Sequence, residues 1–146
     1  MVNGLRDSNQ TLQLLQQRGH RVTGPRRRVV EAAQRQPGPF TADELLQQLQ
    51  DAGPGVGRAT VFRTLDLLAQ NAVLDRLHRP DGCHSYVVAT PGNQHHHHLI
   101  CSACGAVVQF EECTVEPLLA ALSDRTQFSI SGHWLEVFGL CVACQR

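Results

Sequence analysis

Residues 95–105 read His-His-His-His-Leu-Ile-Cys-Ser-Ala-Cys-Gly, and this stretch determines how the second half of the chain is interpreted. It contains Cys101 and Cys104, the first of two Cys-x-x-Cys pairs, and the second pair is Cys141 and Cys144. Each pair can place two thiolates on one zinc ion, and four thiolates complete a closed structural site. Two separate redox-active or buried pairs are the alternative. The doubled spacing favours zinc, which would contribute directly to folding in so small a domain.

The amino-terminal residues 1–7 lack the apolar core of a signal peptide, and no stretch reaches the roughly 18 apolar residues of a membrane span. We therefore expect a cytoplasmic protein with no membrane partner. A reducing compartment disfavours disulfides, which also supports thiolate metal ligands.

Basic residues and candidate metal ligands are concentrated in different parts of the 146-residue chain, although its net charge is zero. Residues 1–90 carry 11 Arg and 8 acidic residues, whereas the rest of the chain carries 2 Arg and 5 acidic residues. That second part holds five of the eight His and five of the six Cys. The length excludes a large barrel or a doubly wound sheet.

Four helices and a hairpin are predicted in the first part. Thr41 with Glu44 three residues later forms a capping box, and the turn at Arg79-Pro80-Asp81-Gly82 is typical of a hairpin. This order is that of a winged helix-turn-helix, which we place at 1–89. The predicted elements are helices at 11–17, after Thr23, after Thr41 and from 58 to about 70, then strands at 73–78 and 83–88.

The fourth helix is the predicted recognition helix. The inner face of this helix is apolar. The opposite side of its first turns carries hydrogen-bond donors, and Thr64 is predicted to be one of them. There side chains reach base edges or phosphates. The predicted DNA-binding residues are Arg58, Thr60, Phe62 and Arg63. Arg26, Arg27 and Arg28 could also approach phosphates, or they form a solvated helix face.

A hinge is predicted at 90–94 and a dimerisation and metal-binding domain at 95–146, which makes the whole chain α+β. The expected order is strands at 95–101 and 106–110, a helix at 114–125 and a strand at 128–140. Side chains alternate along a strand, so His95 and His97 should face one way and His96 and His98 the other. One strand could then serve two metal sites.

Three segments together resemble the ferric uptake regulator family, most closely its zinc uptake branch. They are the histidine and cysteine stretch at 95–105, Arg-Ala-Thr-Val-Phe-Arg-Thr-Leu at 58–65 and His-Trp-Leu-Glu-Val-Phe-Gly-Leu-Cys at 133–141. The resemblance covers 19–144. It implies a homodimeric repressor that binds operator DNA when metal is bound, with no small-molecule substrate.

The resemblance also implies ligand sets. Cys101, Cys104, Cys141 and Cys144 match structural zinc ligands. His95, His97, Glu116 and His133 match a site within the dimerisation domain. Asp75, His96 and His98 match a regulatory hinge site.

Several residues are candidates for the fourth ligand of the hinge site. Relatives that sense zinc often have a Cys near residues 87–89, where this chain has Val-Val-Ala. Cys83 is the obvious substitute, although the predicted turn places it about 10 Å from the partner of Asp75. Glu111, Glu112, His84 or a water are alternatives. Cys113 has no assigned partner and is interpreted as a small core residue.

We therefore expect a zinc-responsive repressor rather than an enzyme. Manganese or iron at the regulatory sites is the alternative within the family, because imidazole and carboxylate ligands suit all three metals. A zinc-dependent hydrolase would leave the first 90 residues without a role, and a zinc-storage module would not bind DNA.

Overall fold

The computed structural model describes residues 6–79, 81–90, 96–111 and 113–146. The chain divides into two compact units, Met1–Gly92 and Asn93–Arg146. Among the described residues, no helix has both the length and the apolar character needed to cross a membrane.

The described residues of the first unit form four helices and one hairpin, in the predicted order. Thr23 and Thr41 cap the second and third helices, as predicted. The first helix begins earlier than predicted because Asp7 and Gln10 form a capping box. The helices are α1 (Ser8–Gln17), α2 (Gly24–Gln34), α3 (Ala42–Asp51) and α4 (Arg58–Gln70), and the strands are β1 (Leu74–His78) and β2 (His84–Val88).

The hairpin is fastened to the helices through Tyr86 of β2. Its backbone N–H and C=O pair with those of Phe40, just before α3, at 2.7 and 2.9 Å. The two aromatic rings also pack against each other. This bridge fixes the hairpin, or wing, beside the helices.

Leucine and valine side chains from all four helices form the core of the first unit. Thr64 of α4 is fully buried with them, so its assignment to the exposed face of α4 was wrong. It lies three residues after Val61 and one before Leu65, which is the spacing of the buried stripe.

In the second unit, the part of the chain that the structure describes forms a three-stranded sheet with one α-helix. Its central strand, β3, pairs antiparallel with β4 and parallel with β5. The predicted strand at 128–140 was too long, because β5 covers four residues. The elements are β3 (His97–Cys101), β4 (Val107–Phe110), α5 (Glu116–Thr126), β5 (Glu136–Gly139) and a 3-10 turn at Val142–Cys144.

The second unit buries very little apolar surface. Among its described residues, only Ile100 and Cys101 belong to the buried hydrophobic set. Three exposed apolar residues, Val108, Leu99 and Val137, lie in one row across β4, β3 and β5. Further exposed large apolar residues are Leu118, Phe128, Ile130, Trp134, Phe138, Leu140 and Val142.

Arg28 of α2 holds the loop that precedes α4. Its guanidinium donates to the carbonyl oxygens of Leu49 at 3.1 Å and Gly53 at 3.2 Å, and also to that of Pro54. Gly53 has a φ of +144°, which few other residues adopt. Arg28 therefore acts inside the first unit, whereas its neighbour Arg27 is exposed.

Replacing Arg28 with Ala should lower the free energy of unfolding by about 1–3 kcal/mol, because three backbone carbonyls lose a charged donor. Arg27→Ala removes the same charge from the exposed neighbour and should change the free energy of unfolding by less than about 0.5 kcal/mol. Urea unfolding of both variants measures the difference. Equal effects would show that the contacts of Arg28 do not stabilise the loop.

Candidate metal centres and nucleic-acid face

Strand β3 carries candidate metal ligands at both of its ends. Cys101 is its last residue and lies beside Gly139 of β5, and the chain leaving β5 leads to Cys141. His97 is its first residue and lies beside Phe110 of β4. The sheet therefore builds one cluster at each end.

Cys101, Cys104, Cys141 and Cys144 form the first cluster. Their four sulfur atoms all lie within 4.8 Å of one another. The Cys104 and Cys141 sulfurs are 3.7 Å apart. Four thiolates around a zinc ion at about 2.3 Å would lie roughly 3.8 Å apart in a tetrahedron, so the side chains fit this metal. The predicted grouping of the four cysteines is present.

Backbone hydrogen bonds lower the pKa of the Cys101 thiol. N–H groups of Cys141 and Cys104 donate toward its sulfur and lower its pKa from 9.0 to about 6, although burial acts in the opposite direction. The neighbouring sulfurs of Cys141, Cys104 and Cys101 raise the pKa of Cys144 to about 12. Crowding of the four sulfurs opposes negative charge on the cluster, and a divalent cation bound there would neutralise that charge.

His97, Cys113 and His133 form the second cluster. One ligand atom from each lies within 4.8 Å of the others. His97 is 2% exposed, and its ring lies 5.3 Å from that of His133 between centroids. The Cys113 sulfur is 3.5 Å from Nε2 of His133. Cys113 is half-buried here, so its interpretation as a core residue was wrong.

Among the described residues, the other ligands predicted in this domain are not part of the second cluster. Glu116 begins α5, is exposed, and lines the same cavity of about 310 Å³ as His133, but it is not part of the second cluster. His98 is buried, and Nδ1 of His96 contacts the side-chain nitrogen of Gln109. His95 and Glu112 lie outside the described residues.

The hairpin separates Cys83 from Asp75. Asp75 pairs with Val87, whereas the carbonyl of Cys83 accepts from the N–H of Arg79 at 3.0 Å. Four residues along a strand correspond to about 13 Å. This register counts against Cys83 as a ligand together with Asp75.

The start of α4 presents the predicted DNA-binding residues of the first unit. Arg58 is exposed, pairs with Asp43, and stacks its guanidinium 4.5 Å from the ring centre of Phe62. Arg63 is exposed and Thr60 is half-buried. Arg58 and Phe62 line a groove of about 450 Å³ together with wing residues that include Arg76 and Arg79. Each of these three arginines pairs with an aspartate that lines the same groove, so the groove carries as many acidic as basic side chains; the aspartates are Asp43, Asp66 and Asp81.

Comparison with known proteins identifies the family. The model of the ferric uptake regulator family matches residues 17–138. The chain belongs to the ferric uptake regulator family. The ferric uptake regulation protein of Bacillus subtilis is 35% identical over 72% of this chain and 71% of its own length.

Solved structures agree with this assignment. The Vibrio cholerae ferric uptake regulator superposes with a TM-score of 0.67, at 30% identity, over 90% of this chain and 99% of its own. A zinc uptake regulator complexed with zinc and DNA gives a TM-score of 0.72, also at 30% identity, over 94% of this chain and 92% of its own. The α+β fold, a winged helix-turn-helix followed by a dimerisation-type domain, is thereby confirmed.

Members of the ferric uptake regulator family are metal-responsive transcriptional regulators and not enzymes. This chain is accordingly a metal-responsive regulator, which excludes the hydrolase interpretation. The resemblance to this family seen in the sequence is confirmed.

Replacing Cys101 with Ser should remove one zinc ion per chain and destabilise the second unit, because three thiolates cannot close the tetrahedral site. Cys83→Ser changes an exposed cysteine of the first unit and should keep the zinc. Elemental analysis after chelator washing, together with thermal unfolding, measures both effects. A Cys101→Ser protein with full zinc content and unchanged unfolding would contradict the structural site.

Proposed function

We propose that this chain is a zinc-responsive transcriptional repressor that binds palindromic operator DNA as a homodimer in the cytoplasm. The observation that carries the proposal is the donor chemistry of the two clusters in the second unit. One consists of four thiols, and the other combines one thiol with two imidazoles. Thiolate and imidazole suit zinc, whereas manganese and magnesium prefer oxygen ligands.

Iron or manganese at the second cluster is the other candidate. It is favoured by the carboxylate of Glu116, which lines one cavity with His133. It also agrees with the Bacillus subtilis relative, which is a ferric uptake regulation protein. The metal that restores DNA binding distinguishes the two candidates.

A second copy of the chain is the proposed cover for the exposed apolar residues of the second unit. Leu99, Val108 and Val137 form a continuous row on one face of its sheet, with exposed fractions of 42%, 60% and 41%. A monomer seldom leaves so contiguous an apolar row in water. A unit with so small a core also needs further burial to be stable.

The coupling of metal to DNA is proposed to act through the arrangement of the recognition helices. Metal favours the arrangement that binds DNA only if it binds that arrangement more tightly, and such couplings typically amount to about 1–3 kcal/mol. Asp75, His96 and His98 remain the predicted ligands of the regulatory hinge metal. The Cys83 alternative receives no support from the hairpin register.

Leu99→Glu should convert the zinc-loaded dimer into a monomer, because a charge in the centre of the apolar row would be buried without a partner. Gln70→Glu places the same carboxylate on an exposed residue at the end of α4 and should leave the dimer intact. Analytical ultracentrifugation reports the mass. A Leu99→Glu dimer as tight as the unchanged protein would place the interface elsewhere.

Zinc should raise the affinity for a palindromic operator duplex by roughly 5-fold to 150-fold, and manganese should raise it less. The experiment is a titration of each metal into chelator-washed protein that retains its structural zinc, with duplex binding followed by fluorescence anisotropy. Equal affinity with and without metal would contradict the proposed function. Activation by manganese or iron at lower free concentration than zinc would select the other candidate.

Two variants separate metal sensing from DNA contact in that titration. Arg63→Ala should weaken duplex binding at every zinc concentration and leave zinc content unchanged, because it removes a cation from the DNA face. Asp75→Ala should instead remove the response to zinc. If Arg63→Ala bound the duplex as tightly as the unchanged protein, α4 would not be the recognition helix.

A further inference from the structure

Cys113 is the one side chain of the second cluster that neither the spacing of motifs nor the resemblance assigned. It lies three residues beyond the end of β4. Its sulfur is 3.5 Å from Nε2 of His133, and both lie within 4.8 Å of a ring nitrogen of His97. A sulfur and two imidazoles thus converge on one point inside the second unit.

Sheet topology accounts for this convergence. β4 runs antiparallel to β3, so the chain leaves β4 beside His97, the first residue of β3. β5 runs parallel to β3, so the segment that enters β5 approaches the same end and carries His133. Strand pairing therefore brings the segments that carry Cys113 and His133 to the His97 end of β3.

We propose that Cys113 is a thiolate ligand of a regulatory metal held together with His97 and His133. The inference rests on the proposed function and specifies its second cluster. In a tetrahedral zinc site, a sulfur at about 2.3 Å and a nitrogen at about 2.0–2.1 Å lie roughly 3.6 Å apart. The 3.5 Å between Cys113 and His133 agrees with that separation.

A tetrahedral zinc site needs a fourth ligand beside these three. Glu116 shares the cavity of about 310 Å³ with His133 and is exposed, so its carboxylate or a water can complete four ligands. The site differs in character from one made of imidazole and carboxylate alone. A thiolate shifts preference toward zinc and cobalt and away from manganese, because soft sulfur binds hard cations weakly.

Cobalt provides a direct readout of the thiolate, since a cobalt–sulfur bond absorbs in the near ultraviolet by charge transfer. The protein is first washed so that one zinc ion per chain remains in the four-cysteine site, and cobalt is then titrated while released zinc is measured. With no zinc released, the unchanged protein should develop the charge-transfer band. Cobalt bound without this band would overturn the proposal.

Cys113→Ser should bind cobalt without the near-ultraviolet band. Cys83→Ser is the matched control, because it removes a cysteine outside both clusters, and its band should equal that of the unchanged protein. An undiminished band in Cys113→Ser would overturn the proposal.

Cys113→Asp replaces sulfur with oxygen and should reduce the ratio of zinc to manganese affinity by at least about tenfold. An unchanged ratio would also overturn it.

Alkylation of the unchanged protein tests the same ligand without any substitution. Zinc added beyond the structural ion should slow the reaction of Cys113 with iodoacetamide at least about tenfold and leave that of Cys83 unchanged, as measured by peptide mass spectrometry. Equal rates for Cys113 with and without this zinc would contradict its role as a ligand.

The failure of this inference is distinguishable from failure of the proposed function. If DNA binding responds to zinc in the unchanged protein but cobalt shows no sulfur ligand outside the structural site, the proposed function stands and the role of Cys113 is wrong. If cobalt reports the Cys113 thiolate but no metal changes DNA binding, the ligand is correct and the proposed function is wrong.

Discussion

The pairing of β3 with β4 on one side and β5 on the other is the constraint on which the second unit depends. Antiparallel pairing with β4 and parallel pairing with β5 bring three chain segments together at each end of β3. One end gathers four cysteine sulfurs, and the other gathers His97, Cys113 and His133. With only Ile100 and Cys101 in its buried hydrophobic set among the described residues, this unit has little else to hold it. A metal bound by these ligands would therefore couple its binding to folding, since ligands that bind a metal only when the sheet is formed stabilise the sheet.

The first unit is stabilised differently. Its core is built from leucine and valine side chains of four capped helices, and the bridge between Phe40 and Tyr86 holds the wing beside them. Arg28 joins α2 to the end of α3 and to the loop before α4, so a residue in a basic run serves a structural role. A stably packed first unit and a sparsely packed, ligand-rich second unit suit a regulator in which metal controls a preformed DNA-binding module.

Local patterns predicted most of the fold. The capping box of Thr41 and Glu44, the bounds of α4 and the hairpin turn follow from short-range chemistry, and the structure has them. The Cys-x-x-Cys spacing likewise indicated the four-cysteine cluster. Thr64 was misplaced because its polarity was given more weight than its helical position between Val61 and Leu68. The strand at 128–140 was overextended because alternating apolar residues form a strand only where a partner exists, and β3 pairs with β5 only from His98 to Cys101.

Cys113 could not be placed from the sequence, because what brings it to His97 and His133 is pairing between distant segments. The signal that could have found it is the end of β4 beside the histidine run, read together with antiparallel pairing. The most direct test of the account is anomalous scattering at the zinc edge from crystals of the zinc-loaded protein. The account predicts one peak among Cys101, Cys104, Cys141 and Cys144 and a second among His97, Cys113 and His133, at opposite ends of β3. Absence of the first peak, or a second peak away from the Cys113 sulfur, would contradict it.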